Sequence, residues 1–161
     1  MDERREREAT PTKYHTTVER KSEREIVVTR TVNAPAHLVF EAWTTAELFR
    51  RWWVPKSYGL NLIACEMDVR VGGQYRLVFL HEGSTMAFFG TYLEVTPHSR
   101  LVWTNEEDDG KTITTVTFDE TAGKTLLVVH DLYPSKEAVD TGSSGAMPEA
   151  FDQLDELLAN L

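Results

Sequence analysis

The chain has 161 residues, of which 41% are hydrophobic and 27% are charged, and its formal net charge is -9 at pH 7. This length fits one domain with a tail, and a mean hydropathy of -0.36 without a long apolar run excludes a transmembrane helix. The acidic balance repels phosphate groups, so we expect neither nucleic-acid binding nor binding to anionic membranes, and the missing apolar run predicts no membrane insertion. A single cysteine and a charged N-terminus without an apolar segment indicate the reducing cytoplasm.

The first 22 residues are predicted to be a flexible, charged tail. Residues 1–13 alternate acidic and basic side chains and present no apolar face, which favours disorder. Residues 14–20 could pair with the next strand or extend it. We therefore divide the chain into a tail, residues 1–22, that could contribute one extra strand, and a single domain, residues 23–161.

The domain opens with a predicted strand over residues 23–33, where β-branched residues are frequent. Helical spacing follows, with Asn33 as the predicted N-cap of a first short helix and Thr45 as that of a second. The second helix ends before Pro55, directly after the aromatic pair Trp52-Trp53.

Six more strands are predicted between residues 60 and 131, because short apolar runs alternate with turn sequences. Connections this short join antiparallel neighbours, since parallel strands would need long crossovers. The predicted strands cover residues 60–69, 74–81, 86–96, 100–106, 112–119 and 125–131.

The C-terminal part predicts an amphipathic helix. Ser135 is expected to cap an earlier helical piece, and a break is expected at residues 142–148, where Pro148 follows a Gly-Ser-Ser-Gly sequence. The result is an α+β fold, a curved antiparallel sheet of about seven strands around a long terminal helix, with two short helices after the first strand. The apolar stripe of the helix comprises Met147, Phe151, Leu154, Leu158 and Leu161.

Five segments, in this order, resemble one family: TRTVNAPAHLVFEAWT, RWWVP, DVRVGGQYRLVF, FFGTYLEVTPHSRLVWT and FDQLDELL. They are similar to the SRPBCC, or START/Bet v-like, superfamily. Within it they resemble the branch named for the activator of heat-shock-protein-90 ATPase, also called polyketide-cyclase-like. The resemblance covers residues 23–161 and implies a helix-grip fold, usually with a hydrophobic cavity between sheet and helix. Relatives usually continue the terminal helix through residues 142–148, so the break could be a gate or a kink without a role.

The resemblance implies that aromatic residues line such a cavity, although alternating aromatics also build filled cores. Arg30 shares its strand face with Val28 and Val32 and needs a partner or a wet cavity if that face is buried. The cavity candidates are Arg30, Trp52, Trp53, Tyr75, Phe79, Phe88, Tyr92, Trp103, Phe118, His130, Met147 and Phe151.

Catalytic motifs are missing from the sequence, which contains no G-x-S-x-G, P-loop, G-x-G-x-x-G or H-E-x-x-H. The five histidines show no ligand spacing with Cys65, so we expect no metal and no cofactor, and a packed thiol. Glu94 and His130 are the best available acid–base pair.

Three functions fit these observations. The first is binding of an apolar small molecule, such as a lipid, a polyketide or another aromatic compound, without catalysis. The second is a cyclase or aromatase acting on a polyketide-like substrate. The third is a co-chaperone-like module with a protein partner. The sequence does not specify the oligomeric state.

Overall fold

The structure, a computed structural model, describes residues 15–107, 110–140 and 144–161. Its α-helices are α1 Ala36–Thr44, α2 Ala46–Trp52, α3 Lys136–Asp140 and α4 Met147–Ala159. Its strands are β1 Thr17–Arg20, β2 Glu25–Val32, β3 Asn61–Met67, β4 Gln74–His81, β5 Ser84–Thr96, β6 Arg100–Glu107, β7 Gly110–Thr121 and β8 Lys124–Leu132.

The eight strands form one curved antiparallel sheet in the order β1-β2-β8-β7-β6-β5-β4-β3. The predicted α+β class and helix-grip fold are confirmed. The sheet has one strand more than the seven expected, because Thr17–Arg20 pairs with β2 instead of extending it. The two short helices therefore follow the second strand and not the first. The predicted charged tail lies, up to residue 14, outside the described residues.

Helix α1 begins later than predicted. Its N-cap is Pro35 and not Asn33, and no side chain of the cap residue bonds to the first turn. The N–H of Ala36 instead donates to Oε1 of Glu120, which lies at the end of β7, at 2.8 Å. A helix N-terminus leaves backbone donors unpaired, and here a distant strand satisfies one of them. Thr45 does occupy the N-cap position of α2, as predicted.

The C-terminal region consists of two helical pieces, as predicted. The N–H of Ala138 donates to Oγ of Ser135 at 3.1 Å, which confirms Ser135 as the cap of the earlier piece. Pro148 lies in the first turn of α4, where its missing N–H costs no hydrogen bond. Residues 142 and 143 of the predicted break lie outside the described residues. None of the described helices has the length and apolarity needed to cross a membrane.

The face of the sheet toward α4 is called the concave face here, and the opposite one the convex face. Val28, Val116 and Leu127 are fully buried on the concave face. Two β-bulges interrupt the pleat, one in β3 and one in β5, and bulges increase local bend and twist. Gly90 of β5 is required where the sheet is tightest, because a Cβ there would lie 1.7 Å from the carbonyl oxygen of Thr104.

Candidate functional site

Aromatic side chains pack between the concave face and helices α1, α2 and α4. Trp43 of α1 lies at the centre, with the ring of Trp52 4.8 Å away and the rings of Trp53 and Trp103 both 5.7 Å away. The indole N–H of Trp52 also donates to the carbonyl oxygen of Ala42 at 3.0 Å. Tilted and edge-to-face pairs of this kind add stability beyond the area they bury. The cluster fastens both short helices to the sheet.

The predicted cavity residues other than His130, which is described below, divide into two groups by burial. The first group is core, with little or no accessible surface. The second group is half-buried, so its side chains retain surface that no protein atom covers. The core group is Arg30, Trp52, Tyr75, Phe79, Tyr92, Phe118 and Phe151, and the half-buried group is Trp53, Phe88, Trp103 and Met147.

Trp103 is the most informative member of the half-buried group. It belongs to β6, which has neighbours on both sides in the sheet, and it pairs with Tyr92 on β5 and Thr114 on β7. Its ring contacts Trp43, which shows that it faces the helices and not the solvent outside the sheet. An inward-facing side chain in mid-sheet that keeps accessible surface indicates space in the interior.

Inward-facing side chains on the strands toward β3 also keep accessible surface. Leu62, Cys65 and Met67 of β3 pack against the core but are half-buried, and Phe88 of β5 makes an edge-to-face pair with Phe79 at 5.5 Å. Cys65 has its sulfur 3.7 Å from that of Met67, and burial raises the pKa of its thiol. A raised pKa keeps the thiol protonated and unreactive, in line with the predicted packed thiol.

Tyr75 and Tyr92 bring phenol groups to this surface. The Tyr75 hydroxyl donates to the carbonyl oxygen of Thr104 at 2.7 Å, across Gly90. The Tyr92 ring lies 5.8 Å from that of Tyr75, and burial, with smaller effects of Cys65 and Asp68, raises the pKa of its hydroxyl. The raised pKa keeps the Tyr92 phenol neutral at physiological pH.

Trp43 holds an unpaired donor at the centre of the cluster. Its side chain is 2% exposed, and its indole N–H has no hydrogen-bond partner among the described residues. Leaving a buried donor unpaired costs roughly 1–3 kcal/mol. Together with Nε of Arg30, the Trp43 N–H is one of two fully buried side-chain donors without a partner among the described residues.

Asp131 of β8 is the one half-buried carboxylate on the concave face of β7 and β8 in the described part of the chain. It lies opposite Thr114, whose hydroxyl donates to its Oδ1 at 2.6 Å. Burial raises the pKa of the Asp131 carboxyl, and the Thr114 hydrogen bond and His130 only partly oppose that rise. The sheet register places Asp131, Thr114 and Trp103 in one cross-strand row.

Arg30 is buried, as its strand parity required, and its partners are protein side chains. Its guanidinium binds Oδ1 of Asp152 at 2.9 Å and Oδ2 of Asp155 at 2.6 Å, both on α4. Thr16 adds a third contact at 2.9 Å. This buried ion pair ties β2 to α4, so Arg30 acts as a cross-link between sheet and helix.

Glu94 and His130 both lie on the convex face. The β5 bulge falls between Tyr92 and Glu94, which turns Glu94 to the side opposite Tyr92, where it pairs with Arg100 at 3.0 Å. His130 alternates with the buried Val129 and contacts Oε2 of Glu25 at 2.8 Å. Three strand spacings, about 14 Å, separate the two residues along one convex row. The structure therefore does not bring this pair together, and His130 does not line the interior.

A groove of about 560 Å³ lies near the free edge of the sheet, on the convex side. Its lining includes the ion pair of Arg76 and Glu66, 3.5 Å apart, and the exposed ring of Phe89. It is open and partly charged, so it differs from the apolar cavity that the family resemblance implies. Its lining residues are Glu66, Met67, Asp68, Gln74, Tyr75, Arg76, Phe89 and Gly90.

The segment after α2 is held against α4 by one side chain. Gln153 donates to the carbonyl oxygens of Trp52 and Val54 at 3.0 and 2.8 Å, and it accepts from the N–H of Lys56 at 2.9 Å. Three backbone groups are thus satisfied by a single amide. This clamp fixes Trp53 over the interior, where its ring stacks on Phe49 at 4.8 Å.

With this geometry in place, the chain can be compared with known proteins. Residues 33–159 match the family described as Activator of Hsp90 ATPase homolog 1-like protein. The chain belongs to this family. The resemblance to an SRPBCC-type family found in the sequence is confirmed, while a search of curated proteins gave no significant match.

Solved structures agree with this assignment. A protein from Rhodobacter sphaeroides is 26% identical, with a TM-score of 0.81, over 91% of this chain and 99% of that chain. One from Nitrosomonas europaea is 24% identical, with a TM-score of 0.78, over 88% and 97%. CalU16 from Micromonospora echinospora is 21% identical, with a TM-score of 0.62, over 93% and 87%. The last two similarities establish the fold alone.

In this Activator of Hsp90 ATPase homolog 1-like chain, two interior residues escaped the sequence-based selection. Asp131 was missed because β8 is apolar on both faces, so its pattern does not reveal which parity is concave. Trp43 was missed because helical spacing does not show that the indole N–H of a buried tryptophan lacks a partner. Among the described residues, no group of three or more His, Cys, Asp and Glu side chains could hold a metal ion.

Proposed function

We propose that this protein binds an apolar, aromatic small molecule in the interior between the β3–β6 half of the concave face and helices α2 and α4. The observation that carries the proposal is the position of Trp103, which faces inward in mid-sheet, touches Trp43 and still keeps accessible surface. Phe88, Met67 and Trp53 extend this surface on either side.

The chemistry of the lining supports a ligand with few polar atoms. Small-molecule sites commonly combine apolar walls with a few placed polar groups. Here the walls are indole, phenyl and thioether side chains, and the polar group is the hydroxyl of Tyr92. Flat aromatic ligands can stack on the indoles, which favours them over flexible chains.

The cyclase alternative is weakened by the positions of its candidate residues. Glu94 and His130 lie on the convex face, and each is engaged by another side chain, Arg100 or Glu25. A proton donor and acceptor must both reach the substrate, and this pair reaches no interior ligand. The co-chaperone-like alternative stays a prediction, to be tested by co-purification with the chaperone and by the rate of its ATPase.

Chemical-shift mapping tests the proposal. Isotope-labelled protein is titrated with flavonoids, aromatic polyketides, sterols and fatty acids, and amide shifts are followed. We expect flavonoids and aromatic polyketides to shift the amides of Met67, Phe88 and Trp103, while those of the convex Thr115 and Val128 stay unchanged. A panel without interior shifts, or with shifts confined to the convex face, would overturn the proposal.

A further inference from the structure

The polar end of the interior carries a further inference, which rests on the proposed function. Asp131 and Thr114 are cross-strand neighbours on the concave face, and Trp103 follows them in the same row. Two strand spacings separate the Cα atoms of Asp131 and Trp103, about 10 Å. A ligand ring stacked on the indole can therefore reach the carboxylate through a short substituent.

Asp131 has no cationic partner in residues 15–107, 110–140 and 144–161. Within these ranges its one hydrogen bond is the 2.6 Å contact from Thr114, and no ion pair joins it to a described lysine or arginine. The ring of the adjacent His130 lies on the opposite face of the sheet, in contact with Glu25. A partly desolvated carboxylate without a cation is unfavourable, so a cation supplied by a ligand would be bound strongly.

Arg30 provides a contrast on the same face. Its buried charge is balanced within the protein by Asp152 and Asp155, at 2.9 and 2.6 Å. Asp131 faces the same interior side of the sheet without such a partner. The charge of Arg30 is thus compensated where α4 covers the sheet, whereas that of Asp131 has no cationic partner among the described residues.

The surroundings of Asp131 also favour a cation over an anion. The chain carries a net charge of -9, which raises the local concentration of cations and lowers that of anions. This effect acts in the same direction as the carboxylate.

We propose that Asp131, oriented by Thr114, binds the protonated amine of an otherwise apolar aromatic ligand that stacks along Trp103. Thr114 occupies Oδ1, which leaves Oδ2 to accept a hydrogen bond from the ammonium group. The site selects aromatic amines with a short arm over aromatic alcohols and aromatic acids.

Calorimetric titration with two isosteric probes tests this selection, using 1-naphthylmethylamine and 1-naphthalenemethanol. The wild-type protein is expected to bind the amine at least about tenfold more tightly than the alcohol, because a charge-assisted hydrogen bond is lost with the alcohol. Asp131→Asn is expected to lower the binding affinity for the amine to that for the alcohol. Thr114→Val, which removes only the orienting hydroxyl, is expected to weaken amine binding about threefold.

Asp119→Asn is the matched control, since Asp119 is exposed on the convex face of β7 and the substitution changes the net charge equally. Its amine affinity should equal that of the wild type. Equal binding of both probes, unchanged by Asp131→Asn, would overturn the inference and leave the proposed function intact. Absence of binding of both probes to the wild type would overturn the proposed function and this inference with it. If Asp131→Asn does not fold, an unchanged amine affinity in Thr114→Val rejects the inference.

Discussion

The two halves of the concave face differ in how completely the helices cover them. Along β2 the inward residues Val28, Arg30 and Val32 are at most 1% exposed, and α4 lies against them. Along β3 the inward residues Leu62, Cys65 and Met67 are all half-buried. One half of the sheet is a closed core, while the other is a surface with room beside it.

Simple dimensions explain the difference. Eight strands about 4.8 Å apart make a sheet about 34 Å wide, whereas a helix with its side chains is about 10 Å across. Helix α4 therefore covers only part of the sheet, and α2 with the segment clamped by Gln153 approaches the rest. The closed half supplies stability, and the open half supplies the candidate site.

The largest expected effect comes from truncating aromatic residues in the two halves. Phe151 has no accessible surface, so Phe151→Ala should reduce the free energy of unfolding by about 4 kcal/mol. Phe88 is half-buried, so Phe88→Ala should cost only about 1 kcal/mol but weaken aromatic-ligand binding. Urea denaturation and calorimetric titration measure the two quantities. Equal destabilisation by both substitutions would contradict the division into a closed and an open half.

The Arg30 ion pair should give the next largest effect. Arg30→Ala leaves the largely buried Asp155 without its cation, and breaking a buried pair in this way costs about 3 kcal/mol. Arg100→Ala removes the exposed pair with Glu94 and should cost less than about 1 kcal/mol. Urea denaturation of both variants gives the comparison. A small loss in Arg30→Ala would show that α4 is held by its apolar stripe alone.

The smallest effect concerns Asp131 and pH. Because burial raises its pKa in the folded state, the folded protein binds the proton more tightly than the unfolded chain does. Its contribution to the free energy of unfolding therefore falls as the pH rises from the usual aspartate pKa through the raised one. Asp131→Asn should thus gain stability relative to the wild type between about pH 3.5 and pH 7. Urea denaturation at both pH values, with Asp119→Asn as control, measures this, and a relative loss over that range would contradict it.

The strands were predictable because local patterns determine them. Turn sequences bound each hairpin, and β4 was predicted with its exact limits, Gln74–His81. The face of the sheet on which each side chain lies was harder to predict. Glu94 lies on the convex face because a bulge reverses the alternation after Tyr92. His130 was predicted to line the cavity because β8 is apolar on both sides, so its sequence does not show which side is concave. Bulges and the depth of helix coverage depend on contacts between distant segments, which local spacing does not encode.

The central claim is that the β3–β6 half of the interior has room for an apolar ligand. Crystals of the protein pressurised with xenon test it most directly, because xenon enters apolar cavities without needing polar partners. We expect xenon density bounded by Trp53, Phe88 and Trp103, and no xenon density beside Val28. Density confined to other parts of the molecule, or an interior in which Trp103 is fully covered by protein atoms, would contradict it.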